Sequence, residues 1–299
     1  MQVMTIRCSD VAVESLPGTA KTGRGLVLFE RLSGWGHDVL DGTALGEKTA
    51  GALKRHVEAV GYGFQFIRKP EIHAYLYGAP SVYVVRFDPA PRIERLAVTR
   101  AEDILDIDLA RPQGTPVEGP MGLICTHGKR DMCCAIKGRP LAKTLDDRFG
   151  GEVIWETSHN KGHRFAPVFQ LLPWGYSYGR LNASAAAAAL SSPTLFVPQL
   201  RGRSIYGSAA QVAEVAVAAR FSVAPGELEL VDARGDRVWF RGRSGSYLVH
   251  LEKVHREGVV ASCGKPGKAA EQWVALRDSV ELLHGSADGG DGVGAVHEG

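Results

Sequence analysis

Four side chains between positions 125 and 163 carry donor atoms suited to a soft metal: Cys125, Cys134, His159 and His163. Cys125 closes the apolar run Gly122-Leu123-Ile124 and opens into Thr126-His127-Gly128, so its thiol stands where a strand gives way to a loop. Such positions commonly face a site. Asp131 precedes Met132-Cys133-Cys134 and can cap a helix beginning there, which sets a cysteine at a helix N-terminus, where the dipole favours a thiolate. His159 and His163 lie in Ser-His-Asn-Lys-Gly-His, a polar loop that Gly162 allows to fold tightly. Two thiolates and two imidazoles narrow the common metals to zinc, iron-sulfur and, less readily, copper. Zinc sites usually draw a cysteine pair from a loop with about two to four intervening residues. Eight residues separate Cys125 from Cys134, a spacing that leans away from zinc.

The elements that must position these donors follow from apolar patterning. Gly25 to Phe29 reads as a buried strand, and Leu45, Thr49, Leu53, Val57 and Val60 recur at helical spacing, with Thr43 as the expected cap and Gly61 as the stop. Phe64–Arg68, Ser81–Phe87 and Arg92–Val98 read as three strands. After a loop with three prolines and two glycines between Arg111 and Pro120, the same order returns. Met121–Cys125 is a strand, a helical stretch runs to Phe149, and Glu152–Thr157, Pro167–Leu172 and Ser177–Leu181 are strands, the last two joined at Pro173-Trp174-Gly175. This predicts an α/β protein with two similar units of strand-helix-three-strand order. A connecting helix is expected over Ala185–Ala189, another over Ser208–Phe221, and hairpin-like strands over Glu227–Leu251, with turns at Arg234-Gly235-Asp236 and Ser244-Gly245. The expected organisation is residues 1–116, 117–205 with the metal site, a small α+β element at 206–285 and a disordered tail at 286–299.

Composition sets the limits. A formal net charge of +2 is too small to argue for a nucleic-acid surface, and no apolar run approaches the length needed to cross a bilayer, so neither nucleic acid nor membrane is an expected partner. The polar N-terminus lacks a secretory core, and the expected location is cytoplasmic. Of five cysteines, Cys125, Cys133 and Cys134 are clustered while Cys8 and Cys263 stand apart, which is not a disulfide framework. Cys8 and Cys263 read as buried or incidental, and His127 as a structural loop histidine. Lys129, Arg130, Lys137, Arg139, Lys161 and Arg164 form a basic collar that either docks an acidic redox partner or solvates the surface.

The strings Cys125-Thr-His-Gly-Lys-Arg-Asp-Met-Cys-Cys134 and Trp155-Glu-Thr-Ser-His-Asn-Lys-Gly-His-Arg-Phe-Ala-Pro167 resemble the sucrase/ferredoxin-like family of thioredoxin-fold ferredoxins. Pro17 to Gly23, Ser33-Gly-Trp-Gly36 and Arg201-Gly-Arg-Ser204 resemble it as well. The resemblance implies two thioredoxin-like units, the second a ferredoxin domain in which Cys125, Cys134, His159 and His163 hold a 2Fe-2S cluster. Cys133 is the rival to Cys134, since adjacent residues at a helix start cannot point the same way. It implies an electron-transfer role with a redox partner such as a reductase, a carrier more than an enzyme with its own substrate. Histidine ligation implies a midpoint above that of plant-type ferredoxins and one sensitive to pH. No carboxylate pair is nominated for glycoside hydrolysis. Two other readings use the same residues: a thiol-disulfide oxidoreductase acting through Cys125 or Cys133/Cys134, and a structural zinc-binding module.

Overall fold

The computed structural model describes residues 7–70 and 80–283. Strand β1 (Gly25–Glu30) is buried on both faces, as its unbroken apolar run requires. Helix α1 (Glu47–Glu58) turns Ala50, Leu53 and Val57 inward. Its N-cap is Gly46 and not Thr43, because the Asp41 carboxylate accepts the Thr43 amide at 2.9 Å and holds that residue in a side-chain turn. Strands β2 (Tyr62–Arg68), β3 (Ser81–Arg86), β4 (Arg92–Ala97) and the short β5 (Thr115–Pro116) follow.

The order then repeats with β6 (Met121–Cys125), α2 (Met132–Phe149), β7 (Ile154–Thr157), β8 (Val168–Leu172) and β9 (Tyr176–Gly179). Gly175 takes φ 74° in the turn between β8 and β9, a conformation open to glycine without a Cβ penalty. Asn182 caps α3 (Ala183–Ser191) by accepting the Ala185 amide at 2.9 Å. After β10 (Leu200–Arg203) and α4 (Ser208–Arg220), the chain forms β11 (Glu229–Arg234), β12 (Arg237–Gly242), β13 (Gly245–Val259) and β14 (Lys268–Leu283).

Ten of these strands make one mixed sheet in the order β10-β9-β8-β6-β7-β2-β1-β3-β4-β5. In the first half β1 is parallel to β2 and antiparallel to β3; in the second, β6 is parallel to β7 and antiparallel to β8. The halves therefore share one local order, and they join through a two-residue antiparallel overlap, Ile67 opposite Thr157 and Arg68 opposite Glu156. Because Glu30 pairs with Ile67 and Cys125 with Thr157, these four residues form a row across the sheet. The loops leaving β1 and β6 both start from that row, so residues that follow each strand can meet.

The last four strands form a separate antiparallel sheet, β11-β12-β13-β14. The β13–β14 hairpin is longer than the sequence suggested: strands were expected to end near Leu251, but pairing continues to Val259 opposite Lys268. Residues from Glu252 to Gly258 are almost all polar or charged and largely exposed, so the hairpin continues with no apolar alternation to announce it. Its connecting loop carries Cys263 back to the start of α2. No helix of the described residues is long and apolar enough to cross a membrane. The tail expected at 286–299 lies outside the described residues.

Candidate metal centre

Cys125 is fully buried at the end of β6, and only residues 126–131 separate it from α2. That short connection is fixed at both ends. The Thr126 amide donates to the Thr157 carbonyl at 3.1 Å, and the Asp131 carboxylate accepts the Cys133 amide at 2.9 Å as the helix cap. Gly138, on the buried side of α2, lies directly against the Cys125 carbonyl, where a Cβ would have no room. The missing side chain lets the helix approach closely enough for Cys134 to reach Cys125. The donor atoms of Cys125, Cys134 and His159 all lie within 4.8 Å of one another. Cys133, one residue earlier on the same helix turn, points elsewhere, with its Sγ 3.7 Å from that of Cys8 and 3.4 Å from that of Cys263.

The histidine loop is held from three sides. Ser158 is tied to β2, donating its amide to the Phe66 carbonyl at 2.9 Å and accepting the Phe66 amide on Oγ at 3.0 Å. The His159 amide donates to Nδ1 of His127 at 3.1 Å, so the proton of that buried imidazole sits on Nε2, which donates to the Gly36 carbonyl at 2.8 Å. Trp35 stands edge-on to His127 at 5.7 Å. The Ser33–Gly36 loop of the first half thus supports the metal loop of the second. Gly36 itself has no space for a Cβ beside the Asp41 carboxylate.

On the third side is Arg201, fully buried above the Phe165 ring at 5.1 Å. Its guanidinium donates to the Lys161 carbonyl at 3.2 Å, to the Thr19 carbonyl, and to Thr19 Oγ1 at 3.1 Å, while its own carbonyl accepts the Gly18 amide at 2.8 Å. Gly162, at φ 91°, packs so closely on that guanidinium that any side chain there would displace it. Three stretches distant in sequence, Pro17–Gly23, Arg201–Ser204 and the histidine loop, therefore form one support. His163 stands beside the Cys125, Cys134 and His159 trio, its ring 5.3 Å from that of His159 and its Nε2 3.6 Å from Asp131 Oδ2.

Nδ1 of His159 is buried without a hydrogen-bond partner, while the His163 ring has the Ala261 backbone and, at 3.6 Å, the Asp131 carboxylate beside it. Buried polar atoms rarely remain unpaired in a folded protein. Electrostatics favours one thiolate: a hydrogen bond from Cys134 and the His159 ring hold the Cys125 thiol well below its usual range, overcoming burial. The same contact, together with burial, pushes the Cys134 thiol up, since two adjacent buried thiolates repel. Burial lowers His127 and His163, keeping both imidazoles in the neutral form that can bind a metal. Two soft sulfurs, one already inclined to ionise, beside buried imidazoles fit a thiolate- and imidazole-binding metal group.

The surrounding charges are largely paired. Arg130 reaches Asp38 at 3.0 Å, Lys137 reaches Asp10 at 2.5 Å and Arg164 reaches Glu14 at 2.6 Å, while Lys129 and Arg139 line a groove with Trp35, His127 and the exposed Met132. Sequence reasoning took Cys8 and Cys263 as buried or incidental; both contact Cys133, and with Asp131 they form a second cluster of possible ligands. Nothing in their isolated positions announces this.

Neither the curated proteins nor the solved structures contain a match to the chain. The family model described as sucrase/ferredoxin-like matches residues 16–201, a span that opens just before Pro17 and closes on Arg201, the two ends of the support beneath the histidine loop. That family name suggests a redox role and is compatible with the cysteine and histidine groups that could hold a metal cofactor. With the match covering well over half of its length, the chain belongs to the sucrase/ferredoxin-like family.

Proposed function

We propose that this protein is an electron carrier in which Cys125, Cys134, His159 and His163 hold a 2Fe-2S cluster. The observation that carries the reading is the buried trio of Cys125, Cys134 and His159, with Nδ1 of His159 unpartnered and the His163 ring beside that of His159. When bound, such a cluster supplies one-electron chemistry at a potential raised by histidine ligation. The chain's own residues fix the ligands: His127 holds the His159 backbone, Arg201 holds the loop between the two histidines, and the capped start of α2 presents Cys134.

The strand order β7-β6-β8-β9, with α2 crossing between parallel neighbours, supports a thioredoxin-like reading of residues 117–205. The order β2-β1-β3-β4 supports the same reading of residues 1–116. Five cysteines without a disulfide suit a reducing compartment such as the cytoplasm. The groove lined by Lys129, Arg139, Trp35 and Met132, next to the β6–α2 loop, offers a basic and partly apolar face for an acidic redox partner such as a reductase.

The test is anaerobic purification followed by visible absorption, EPR after dithionite reduction, and analysis of iron, sulfide and zinc on one sample. A brown protein with about two irons and two sulfides per chain is expected. His159→Cys should keep the colour and move the midpoint toward the roughly −400 mV of plant-type ferredoxins. A colourless protein, with or without zinc, would replace the electron-transfer reading with a structural zinc module or a thiol oxidoreductase.

A further inference from the structure

We infer that Cys8, Cys133, Cys263 and Asp131 form a second metal site, a tetrahedral Cys3Asp site for zinc(II), separate from the group formed by Cys125, Cys134, His159 and His163. The three sulfurs form a nearly equilateral triangle, with Sγ to Sγ distances of 3.7 Å for Cys8 and Cys133, 3.4 Å for Cys133 and Cys263, and 3.5 Å for Cys263 and Cys8. The Asp131 carboxylate supplies the fourth corner: its Oδ1 lies 3.4 Å from the Cys263 sulfur and 4.0 Å from the Cys8 sulfur, and its Oδ2 lies 3.8 Å from the latter. Zinc bonds of about 2.3 Å to sulfur and 2.0 Å to oxygen at tetrahedral angles require edges of about 3.8 Å between sulfurs and 3.5 Å from sulfur to oxygen. The sulfur edges lie within a few tenths of an ångström of the first value, and Asp131 Oδ1 meets the second on the Cys263 side and exceeds it by about half an ångström on the Cys8 side. The same sulfurs are much too far apart to be disulfides, whose bonds are about 2.05 Å.

Backbone N–H groups converge on the four side chains. The Cys8 amide donates to the Cys263 sulfur at 3.4 Å, a hydrogen bond that favours a thiolate. The Asp131 carboxylate accepts the Cys133 amide at 2.9 Å and the Cys263 amide at 3.3 Å, and the N-terminus of α2 points at the group. The carboxylate among these thiols is only 1% exposed, and the amides it accepts are what let it stay buried there. Three thiolates and a carboxylate oxygen are ligands that tetrahedral zinc accepts, and the His163 imidazole stands next to the group with its Nε2 3.6 Å from Asp131 Oδ2.

The site would join three stretches of the chain that lie far apart in sequence. Cys8 comes from the short 3-10 turn Cys8–Asp10, Asp131 and Cys133 from the start of α2, and Cys263 from the loop of the β13–β14 hairpin. One ion therefore closes loops of more than a hundred residues on either side of α2, where a cross-link constrains the unfolded chain most.

The inference does not depend on the iron-sulfur reading, and the test keeps the two apart. Full-length protein made in zinc-supplemented medium and purified without chelator should hold about one zinc per chain whatever its iron content. Cys263→Ser, at a loop position, should weaken zinc binding roughly tenfold or more in competition with a chromogenic chelator, with iron and visible absorption unchanged. Cys134→Ala should do the reverse. Should Cys263→Ser fail to fold, cobalt(II) titration of wild-type and Cys134→Ala protein replaces it: both should develop the thiolate-to-cobalt charge-transfer absorption of a tetrahedral site. Zinc retained in Cys263→Ser and lost in Cys134→Ala would overturn the inference. So would wild-type protein that binds no zinc in excess, or mass analysis of freshly isolated protein showing a disulfide among these three cysteines.

Discussion

The β1–β4 and β6–β9 halves of the large sheet share a strand order, yet donor atoms have gathered at only one of them, and the contrast lies in how each first strand reaches its helix. In the first half residues 31–46 intervene between β1 and α1, and the helix starts at Gly46 without a side-chain cap. In the second, residues 126–131 intervene, Asp131 caps, and Gly138 lets α2 rest on the strand end. A short capped connection forces the end of the strand and the start of the helix together, which is what a metal needs of Cys125 and Cys134. The long connection of the first half is free to do something else. It sends Trp35 and Gly36 across the β2–β7 seam to hold His127, so one half carries the candidate ligands and the other fixes them.

The sharpest way to break this comparison is to lengthen the separation of strand and helix without touching a ligand. Gly138→Ala sets a methyl group against the Cys125 carbonyl backbone, which cannot move aside as a flexible side chain would. Overpacking of this kind is expected to cost about 3 kcal/mol in urea unfolding. The helix would relieve it by shifting away from β6, so the variant should also bind markedly less iron. Full iron content in Gly138→Ala would mean that close approach is not what assembles the donors.

Both halves bury a glutamate against an arginine, Glu94 with Arg86 at 2.5 Å in the first and Glu156 of the second with Arg68 at 2.6 Å. Helix α4, beyond both halves, buries Glu214 differently: among the described residues the Tyr176 hydroxyl donates to it at 2.8 Å, and burial raises its carboxyl to about 7 against the pull of Arg203. The folded state therefore holds this proton to higher pH than the unfolded chain, whose glutamates release it near 4.3. Below that value the group costs nothing; the penalty grows as pH rises toward 7 and is constant above. Glu214→Gln removes the charge and keeps the acceptor for Tyr176. Relative to wild type it should gain roughly 3 kcal/mol between pH 4 and pH 8, read from denaturant unfolding at the two values. A difference between the proteins that is flat with pH would show that Glu214 is ionised at ordinary cost.

A smaller effect tests the seam between the halves. His127→Phe keeps the ring against Trp35 but removes the acceptor for the His159 amide and the donor to the Gly36 carbonyl. One lost pair of hydrogen bonds to buried backbone is worth about 1 to 2 kcal/mol. Iron release to a chelator should be faster than in wild type, since the His159 backbone loses its anchor. Unchanged release would confine His127 to a packing role.

Much of this division was readable from residues alone. Cys125 at a strand end, Asp131 ahead of a helix and Gly162 between two histidines are local patterns, and the repeated strand-helix-three-strand order follows from apolar periodicity. What could not be read was pairing at long range. The contact of Cys133 with Cys8 and Cys263 depends on a hairpin whose outer half, Glu252 to Gly258, has the composition of exposed surface. The service of Arg201 to the histidine loop was hidden likewise, although the motif containing it stood out, because a buried arginine has no signature until its carbonyl partners are known. Thr43 failed as a cap for a local reason: Asp41, two residues earlier, took its amide first.

The mildest test uses the glycine of the other helix. Gly51 lies in α1, where a Cβ would meet only the end of the Arg55 side chain at 3.6 Å, an ordinary contact with a group that can swing away. Its φ is helical, so alanine fits without strain, and the change removes the entropy that glycine loses on entering a helix. Gly51→Ala should stabilise the protein by about 0.5 to 1 kcal/mol and leave iron content and midpoint untouched. Set beside Gly138→Ala, the same substitution in the two helices should have opposite signs. Since helix propensity is common to both sites, the difference measures how tightly α2, unlike α1, must press on the strand beneath it. A destabilising Gly51→Ala would mean that α1 too is seated by close approach, and that the connection lengths, not the helix contacts, distinguish the halves.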